Sequence, residues 1–582
     1  MNLQPFLQIP TVNRALIFSL AAIIGGVVAL AIVGLINLIL LVQWLGFGDA
    51  SEFRFADIVA ATPWWQTLLV PTVGGLLVGI IVQQLPGGRY HGIADVMEAC
   101  ALNSARMQVR SGIAAAFAAA CSLGVGAPLG REGPAVHIGA SLSAWIAEKL
   151  SLDRRQSLAL LGCGAAAAVT VSFDAPIAAV IFALEVIVGY YTLRVFAPIV
   201  IAAMVAVVVR DAFLEGQPLV SIPVYQLNSL WELPLFALLG IAGAGVSWLL
   251  IFLVGVTQES WLKVPCSAWI RPAIAGFIIG LIAIKLPAIM NIGTAAILDA
   301  MQGQLVTSLL ISLLIFKLLT VALAIGSGFA GGVFSPAVYI GAMLGGCFWL
   351  IVTALGLPAT DQGAYAVVGT AAVASALLGA PISTILIVFE LTRNYEITLG
   401  VMTAAAFASS VMQLIGHGSF FRWQLAQRNI NIAAGRDISL LMTHRVEHLL
   451  NQRFTRVSQD ASVAELESRL GRERQRVAML VDEGGHFHGS VSALELVAHT
   501  NDTGLDHPAS AVAHSAEFAV RASTNIVAAL QTMAENDSEY LPIVEQSDTS
   551  APILLGVVYK SDLLAEHYDV VKRAREEEFG IT

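Results

Sequence analysis

Residues 126–140, GAPLGREGPAVHIGA, set Arg131 and Glu132 in the middle of an apolar, glycine-rich passage. A solvent-exposed loop would explain the charges, but the passage has a second copy. PAVHIGA at 134–140 returns as PAVYIGA at 336–342. GCGAAAA at 162–168 is echoed by VGTAAVA at 368–374, and APIAAVIFALE at 175–185 by APISTILIVFE at 380–390. The three matches keep their order and nearly their offset, so the chain holds two related halves. In each copy glycines run into a proline, Pro134 or Pro336, at about the first helical turn, where proline is preferred. Each copy therefore starts a helix. Free N–H groups and the positive end of the helix dipole make such a start a site for an anion. Two converging starts would hold a small anion without a full positive charge, weakly enough to let it go.

Glu132 gains a role in this setting. Its carboxylate is itself an anion tethered beside the site, and it can fill the site when no ion does. Arg131 is expected to hold the loop, because a bare guanidinium would trap the ion. The plainer reading makes Glu132 a cap on its own helix. An ionisable group at membrane depth favours the functional one.

Membrane depth follows from composition. The chain has 582 residues, of which 57% are hydrophobic and 12% charged, and its mean hydropathy is +0.77. A soluble domain carries about 25% charged residues. Apolar runs recur up to about residue 415, among them Arg14–Leu45, Trp65–Gln83, Leu235–Val256 and Leu309–Ile325. Others, Leu158–Val171 and Ala175–Val188, are too short for the roughly 20 residues that a perpendicular span needs. Such runs predict tilted or broken helices, tolerated where neighbouring helices or a polar cavity satisfy the backbone. The first residues lack a basic stretch and a small-residue cleavage site, so no cleaved signal peptide is expected. Five cysteines scatter through apolar segments without ligand spacing, which argues against a disulfide framework or a metal site. Cys163 and Ser172 have no base near them in sequence, so no intramembrane enzyme is expected. A net charge of −10 tells against nucleic acid as a partner.

Past residue 428 the composition turns mixed and charged. Val477–Leu496 and Tyr540–Leu563 each read as strand, turn, strand and helix start, and helical stretches at Val463–Leu470 and Ile526–Glu535 precede them. The reading is an all-α polytopic membrane domain over residues 1–428, followed by an α/β tail of two β-α-β-β-α units over 429–582.

GREGP at 130–134, GGVFSP at 331–336, the paired API segments and the tandem tail together resemble the CLC family of chloride channels and chloride/proton antiporters with C-terminal CBS domains. The resemblance covers essentially the whole chain. It implies two inverted repeats of tilted and broken helices, a homodimer with one anion path per subunit, and a CBS pair at about 437–502 and 507–570. The family's gating glutamate falls on Glu132, between Arg131 and Gly133, and its second anion-binding motif places backbone amides on Val333 and Phe334. The expected setting is a bacterial inner membrane with the CBS pair in the cytoplasm.

Three positions depart from the family pattern. Where the family has GSGIPE this chain has YHGIAD at 90–95, so His91, followed by Gly92 and Ile93, replaces the central serine. Either its imidazole N–H replaces the hydroxyl donor, with pH-dependent consequences, or the ring turns away and backbone amides suffice. The inward-side glutamate that passes protons in the antiporters is Val186 here, which implies passive flow; an antiporter with another proton route is the alternative. The pore-lining tyrosine aligns with Phe421, or with Phe420 after a slip of one residue. Both hydroxyl donors are thereby missing, which leaves the preferred anion open. In the tail, Ser561 and Asp562 of GVVYKSD match the family's phosphate and ribose contacts for an adenine nucleotide (ATP, ADP or AMP), whereas the first unit has Leu494 and Glu495 there. At most one competent nucleotide site is expected, and no cofactor is required for transport. A tail that only holds the dimer is the other reading.

Overall fold

Small residues decide how the membrane helices meet. In the computed structural model, which describes residues 10–189, 193–214, 223–416, 418–428, 430, 432, 441–442, 444–473, 475–497, 507–515, 518–545 and 552–579, the chain divides into two compact units, Met1–Arg428 and Asn429–Thr582. The first unit is helical. Its elements are α1 (Pro10–Phe47), α2 (Phe55–Ala61), α3 (Trp64–Gln83), α4 (Ile93–Ala101), α5 (Val109–Gly124), α6 (Glu132–Lys149), α7 (Arg154–Phe173), α8 (Pro176–Phe182) and α9 (Leu193–Phe213). These are followed by α10 (Leu233–Lys263), α11 (Arg271–Ala283), α12 (Thr294–Met301), α13 (Thr307–Ser327), α14 (Phe334–Ala354), α15 (Gln362–Leu378), α16 (Pro381–Thr392), α17 (Tyr395–Leu414) and α18 (Phe420–Ala426). Apart from the short α2, the order α1, α3–α9 is repeated by α10, α11–α17.

Among the described residues, eight helices are long and apolar enough to cross a membrane. The 38 residues of α1 far exceed a hydrocarbon core about 30 Å thick at about 1.5 Å rise per residue. One expected short element is longer than its apolar run: Leu158–Val171 lies inside α7, whose 20 residues begin with Arg154 and a cap from Asp153 to the Gln156 amide. The run from Ala175 is short, as expected. Helix α8 gives way to a π-helical stretch at Ala183–Val188, which contains Glu185 and Val186.

The packing of α6 on α7 and of α14 on α15 follows one design. A Cβ added to Gly139 would sit 2.5 Å from the Gly164 carbonyl oxygen, and one on Gly164 would sit 2.2 Å from that of Gly139. The second half reproduces the contact, with Gly341 2.5 Å from the Gly369 carbonyl and Gly369 2.4 Å from the Gly341 carbonyl. Only hydrogen fits at these crossings. Helices α7 and α15 are buried along most of their length, which is why they read as Ala- and Gly-rich.

Two carboxylates tie the halves together. Glu185 accepts from the amides of Ile382 (3.0 Å) and Ser383 (2.9 Å) at the start of α16, and from the Ser383 hydroxyl. Glu390, near the end of α16, accepts from Ile177 (3.0 Å) and Ala178 (2.8 Å) at the start of α8. Each segment thus caps the beginning of the other, so α8 and α16 run antiparallel. The two halves are inverted copies.

The tail contains two sheets. Strands β1 (Thr455–Ser458), β2 (Val477–Val481), β3 (Phe487–Ser492) and β4 (His514–Ser515) form the first in that order; β5 (Val520–Arg521), β6 (Tyr540–Glu545) and β7 (Ile553–Tyr559) form the second. The first pair of each sheet is parallel and the second antiparallel. Helices α19 (Val463–Glu473) and α20 (Ile526–Glu535) connect the parallel strands, and α21 (Lys560–Phe579) follows β7.

Substituting Gly341→Ala is expected to destabilise the membrane unit by about 1–3 kcal/mol through overpacking against the Gly369 carbonyl. Thermal unfolding of the detergent-purified chain would show a lower midpoint, and an unchanged midpoint would mean that the α14–α15 contact is looser than described.

Candidate anion site

The glycine-rich passages of the two halves bond to one another. The Gly130 amide donates to the Gly332 carbonyl at 2.8 Å, and the Gly332 amide donates to the Gly130 carbonyl at 2.7 Å. This two-residue bridge brings the first turns of α6 and α14 together. The approach is close enough that a Cβ on Gly332 would meet the Gly133 nitrogen at 2.8 Å.

Glu132 opens α6 at this junction and is 2% exposed. One carboxylate oxygen, Oε1, accepts from the Ser335 hydroxyl at 2.5 Å, on the first turn of α14. The other, Oε2, is buried without a hydrogen-bond partner and lies over Gly130, where a Cβ would come within 2.3 Å of it. The carboxylate of one half is therefore held at the helix start of the other. Ser335 was not singled out from sequence, although the repeat offset that pairs Glu132 with Phe334 also pairs Gly133 with Ser335.

Arg131 points elsewhere. Its guanidinium donates to Glu52 Oε2 at 2.7 Å and to the Ser172 carbonyl at 3.2 Å, which fastens the loop. Phe334 turns its ring into an aromatic cluster, 4.4 Å from the Phe173 centroid and 6.0 Å from that of Phe182.

A cavity of about 330 Å³ lies beside the junction. Gly92, Ile93, Gly133, Val333 and Phe421 of the expected set line it, together with Phe420, Tyr90, Gly332 and the polar Gln258, Gln424 and Gln427. The sequence alternatives of Phe420 and Phe421 both face it; they start α18, whose cap is the Ser419 hydroxyl accepting from the Arg422 amide at 3.2 Å. Arg89, Arg271 and Arg428 line the cavity, and so does Asp95, which pairs with Arg89 and Arg428. A cleft with this excess of positive charge concentrates anions.

The start of α4 corrects part of the expected donor set. Asp95 accepts from the Gly92 amide at 2.8 Å, so that N–H is already capped. The same carboxylate takes Arg89 at 2.6 Å, Arg428 at 3.0 Å and His91 Nδ1 at 3.2 Å. The second ring nitrogen of His91, Nε2, lies 2.9 Å from the Pro86 carbonyl. Both imidazole nitrogens are thus engaged away from the cavity, which fits the alternative in which the ring turns aside. The physical reason is Asp95: a carboxylate three residues after Gly92 captures both the helix start and the histidine. Val186 is buried in the π-helical stretch.

In the tail, Ser561 is exposed and Asp562 half-buried on the first turn of α21. In the first unit Glu495 accepts from the Ser492 amide at 2.8 Å and faces His514 Nε2 at 2.9 Å. Burial raises its pKa, but these bonds outweigh burial and hold the carboxyl below the usual glutamate range. Leu494 beside it is exposed.

Comparison with known proteins agrees with this architecture. Residues 74–413 match the voltage gated chloride channel family, and residues 509–569 match the CBS domain. A ClcB-like chloride channel protein of Ralstonia nicotianae is 29% identical over 70% of this chain and 96% of its own length. The voltage-gated ClC-type chloride channel ClcB of Citrobacter koseri is 27% identical over 70% of this chain and 98% of its own. The crystal structure of a eukaryotic CLC transporter superposes with a TM-score of 0.61 at 20% identity, covering 94% of this chain and 97% of that one. A cyanobacterial Cl⁻/H⁺ antiporter has the same TM-score and identity over 71% of this chain and 97% of its own. A membrane unit of two inverted halves meeting at paired helix starts, with a CBS-containing tail, makes this chain a member of the CLC family of anion channels and transporters.

Proposed function

We propose that this CLC protein is a passive channel for chloride or a similar small anion, gated by Glu132. The observation that carries this reading is the Glu132 carboxylate held by Ser335 at the joined starts of α6 and α14. There it takes the place that two helix dipoles make favourable for an anion. Displacement by an incoming ion, or protonation, frees the position. Val186 supports passive flow, because an aliphatic side chain relays no proton. The arrangement of charges supports weak binding: Arg131 is neutralised by Glu52, and a site of neutral donors can release its ion.

A coupled antiporter is the second reading, and one observation favours it. His137 on α6 is buried, its Nδ1 has no hydrogen-bond partner, and its ring centroid is 5.8 Å from that of His91. The two imidazoles could pass a proton around Val186.

The working assembly in this proposal is a homodimer in a bacterial inner membrane, with one path per subunit and the tail in the cytoplasm. The tail binds an adenine nucleotide at Ser561 and Asp562 alone. In support, Asp562 and Ser561 stand on the open first turn of α21, whereas Glu495 is engaged by its own backbone and by His514.

Glu132→Gln, which mimics the protonated gate, is expected to raise chloride efflux from proteoliposomes at neutral pH to the level that the wild type reaches in acid, and to flatten the pH dependence. Unchanged flux and unchanged pH dependence would place the gate elsewhere. Calorimetric titration of the full chain with ATP, ADP and AMP should show binding that Asp562→Asn weakens about tenfold or more, as loss of a charged acceptor does. No heat at millimolar nucleotide would leave the tail with a structural role.

A further inference from the structure

We infer that the hydroxyl of Tyr90 is the side-chain donor that meets the anion, in place of the serine and tyrosine hydroxyls missing at His91 and Phe421; the inference rests on the anion-path reading above. Tyr90 lines the cavity that Gly133, Gly332, Val333 and Phe421 also line. Its phenolic oxygen is buried and, among the described residues, has no hydrogen-bond partner. It lies at the junction of the two halves: a methyl group on Gly133 would sit 3.8 Å from it.

Buried hydroxyls are almost always paired, so a partnerless one that lines a cavity calls for a ligand or water. The donors beside it in sequence are already engaged. The Gly92 amide goes to Asp95, and His91 to Asp95 and the Pro86 carbonyl. Of the arginines lining the cavity, Arg89 and Arg428 share Asp95.

The chemistry suits the task. A phenol offers a single O–H and no charge, so its bond to an anion is charge-assisted yet leaves no fixed cation behind to hold the ion. The ligand class is a monovalent anion of halide size, seated between the Tyr90 hydroxyl and the start of α6 at Gly133, with the Phe421 ring as an apolar wall. The change at residues 90–91 therefore moves the donor by one position. Tyr90 takes up the hydroxyl function and His91 serves Asp95.

Tyr90→Phe keeps the ring and removes only the oxygen. In the purified full chain it is expected to raise the chloride dissociation constant measured by calorimetry about tenfold, the usual effect of losing one hydrogen bond to a charged group. The rise in melting temperature on adding chloride should shrink in parallel, while the chloride-free melting temperature stays at the wild-type value. Tyr339→Phe, which deletes a hydroxyl bonded to the Ala288 carbonyl, should leave chloride affinity unchanged. If the wild type binds and passes chloride and Tyr90→Phe does so equally well, the Tyr90 hydroxyl is paired with water and the inference falls, while the anion path stands. If the wild type neither binds nor passes chloride, fluoride, bromide or nitrate, the path itself is wrong.

Discussion

The pair of hydrogen bonds between Gly130 and Gly332 is the constraint on which the site depends. It is a minimal β-bridge, two residues long, yet it fixes where two long helices begin. Without it, the starts of α6 and α14 would be free to separate, and no single place would feel both dipoles. With it, Ser335 reaches Glu132 across the join. Glycine matters most at Gly332, where a side chain would collide with the Gly133 backbone, whereas one at Gly130 would displace the Glu132 carboxylate. The glycines that look like slack in the sequence are thus places of close approach.

Around this junction, buried charge is handled in two ways. Several buried or half-buried charges in the helical unit are partnered. Glu185 and Glu390 cap opposite helices, and Glu232 accepts from the Thr360 amide and hydroxyl and from Tyr365. Lys317, fully buried in α13, donates to the Ile289 and Asn291 carbonyls and lies 4.5 Å from the Tyr339 ring centroid. These groups are structural: unpaired, each would carry a heavy desolvation penalty. At the junction, by contrast, Glu132 Oε2 and the Tyr90 hydroxyl are buried without partners. Buried groups left unsatisfied call for an explanation, and these two lie at the joined starts of α6 and α14.

Much of this was legible in the sequence, because the repeat is written in residues that packing cannot exchange. The glycines that let α6 meet α7 recur in both halves because only hydrogen fits there, and the proline of PAVHIGA and PAVYIGA recurs in the first turn, where it is preferred. The antiparallel capping by Glu185 and Glu390 was foreshadowed by the matching APIAAVIFALE and APISTILIVFE segments, yet inversion itself needed coordinates. The donor set was less legible. Whether residue 90 or 91 faces the cavity depends on where α4 begins and on Asp95 capturing Gly92 and His91 together, a competition among local bonds that spacing does not reveal. The π-helical stretch at Ala183–Val188 was likewise invisible, because a change of helical pitch leaves no mark on a run that is apolar but for Glu185.

We propose that anions cross this protein without coupled protons, past a carboxylate gate. The most direct test is the reversal potential of the reconstituted chain under a fixed chloride gradient, with and without an added pH gradient. The account predicts a potential that stays at the chloride equilibrium value in both conditions. A potential that moves with the pH gradient would contradict it and make His137 and His91 the first residues to substitute.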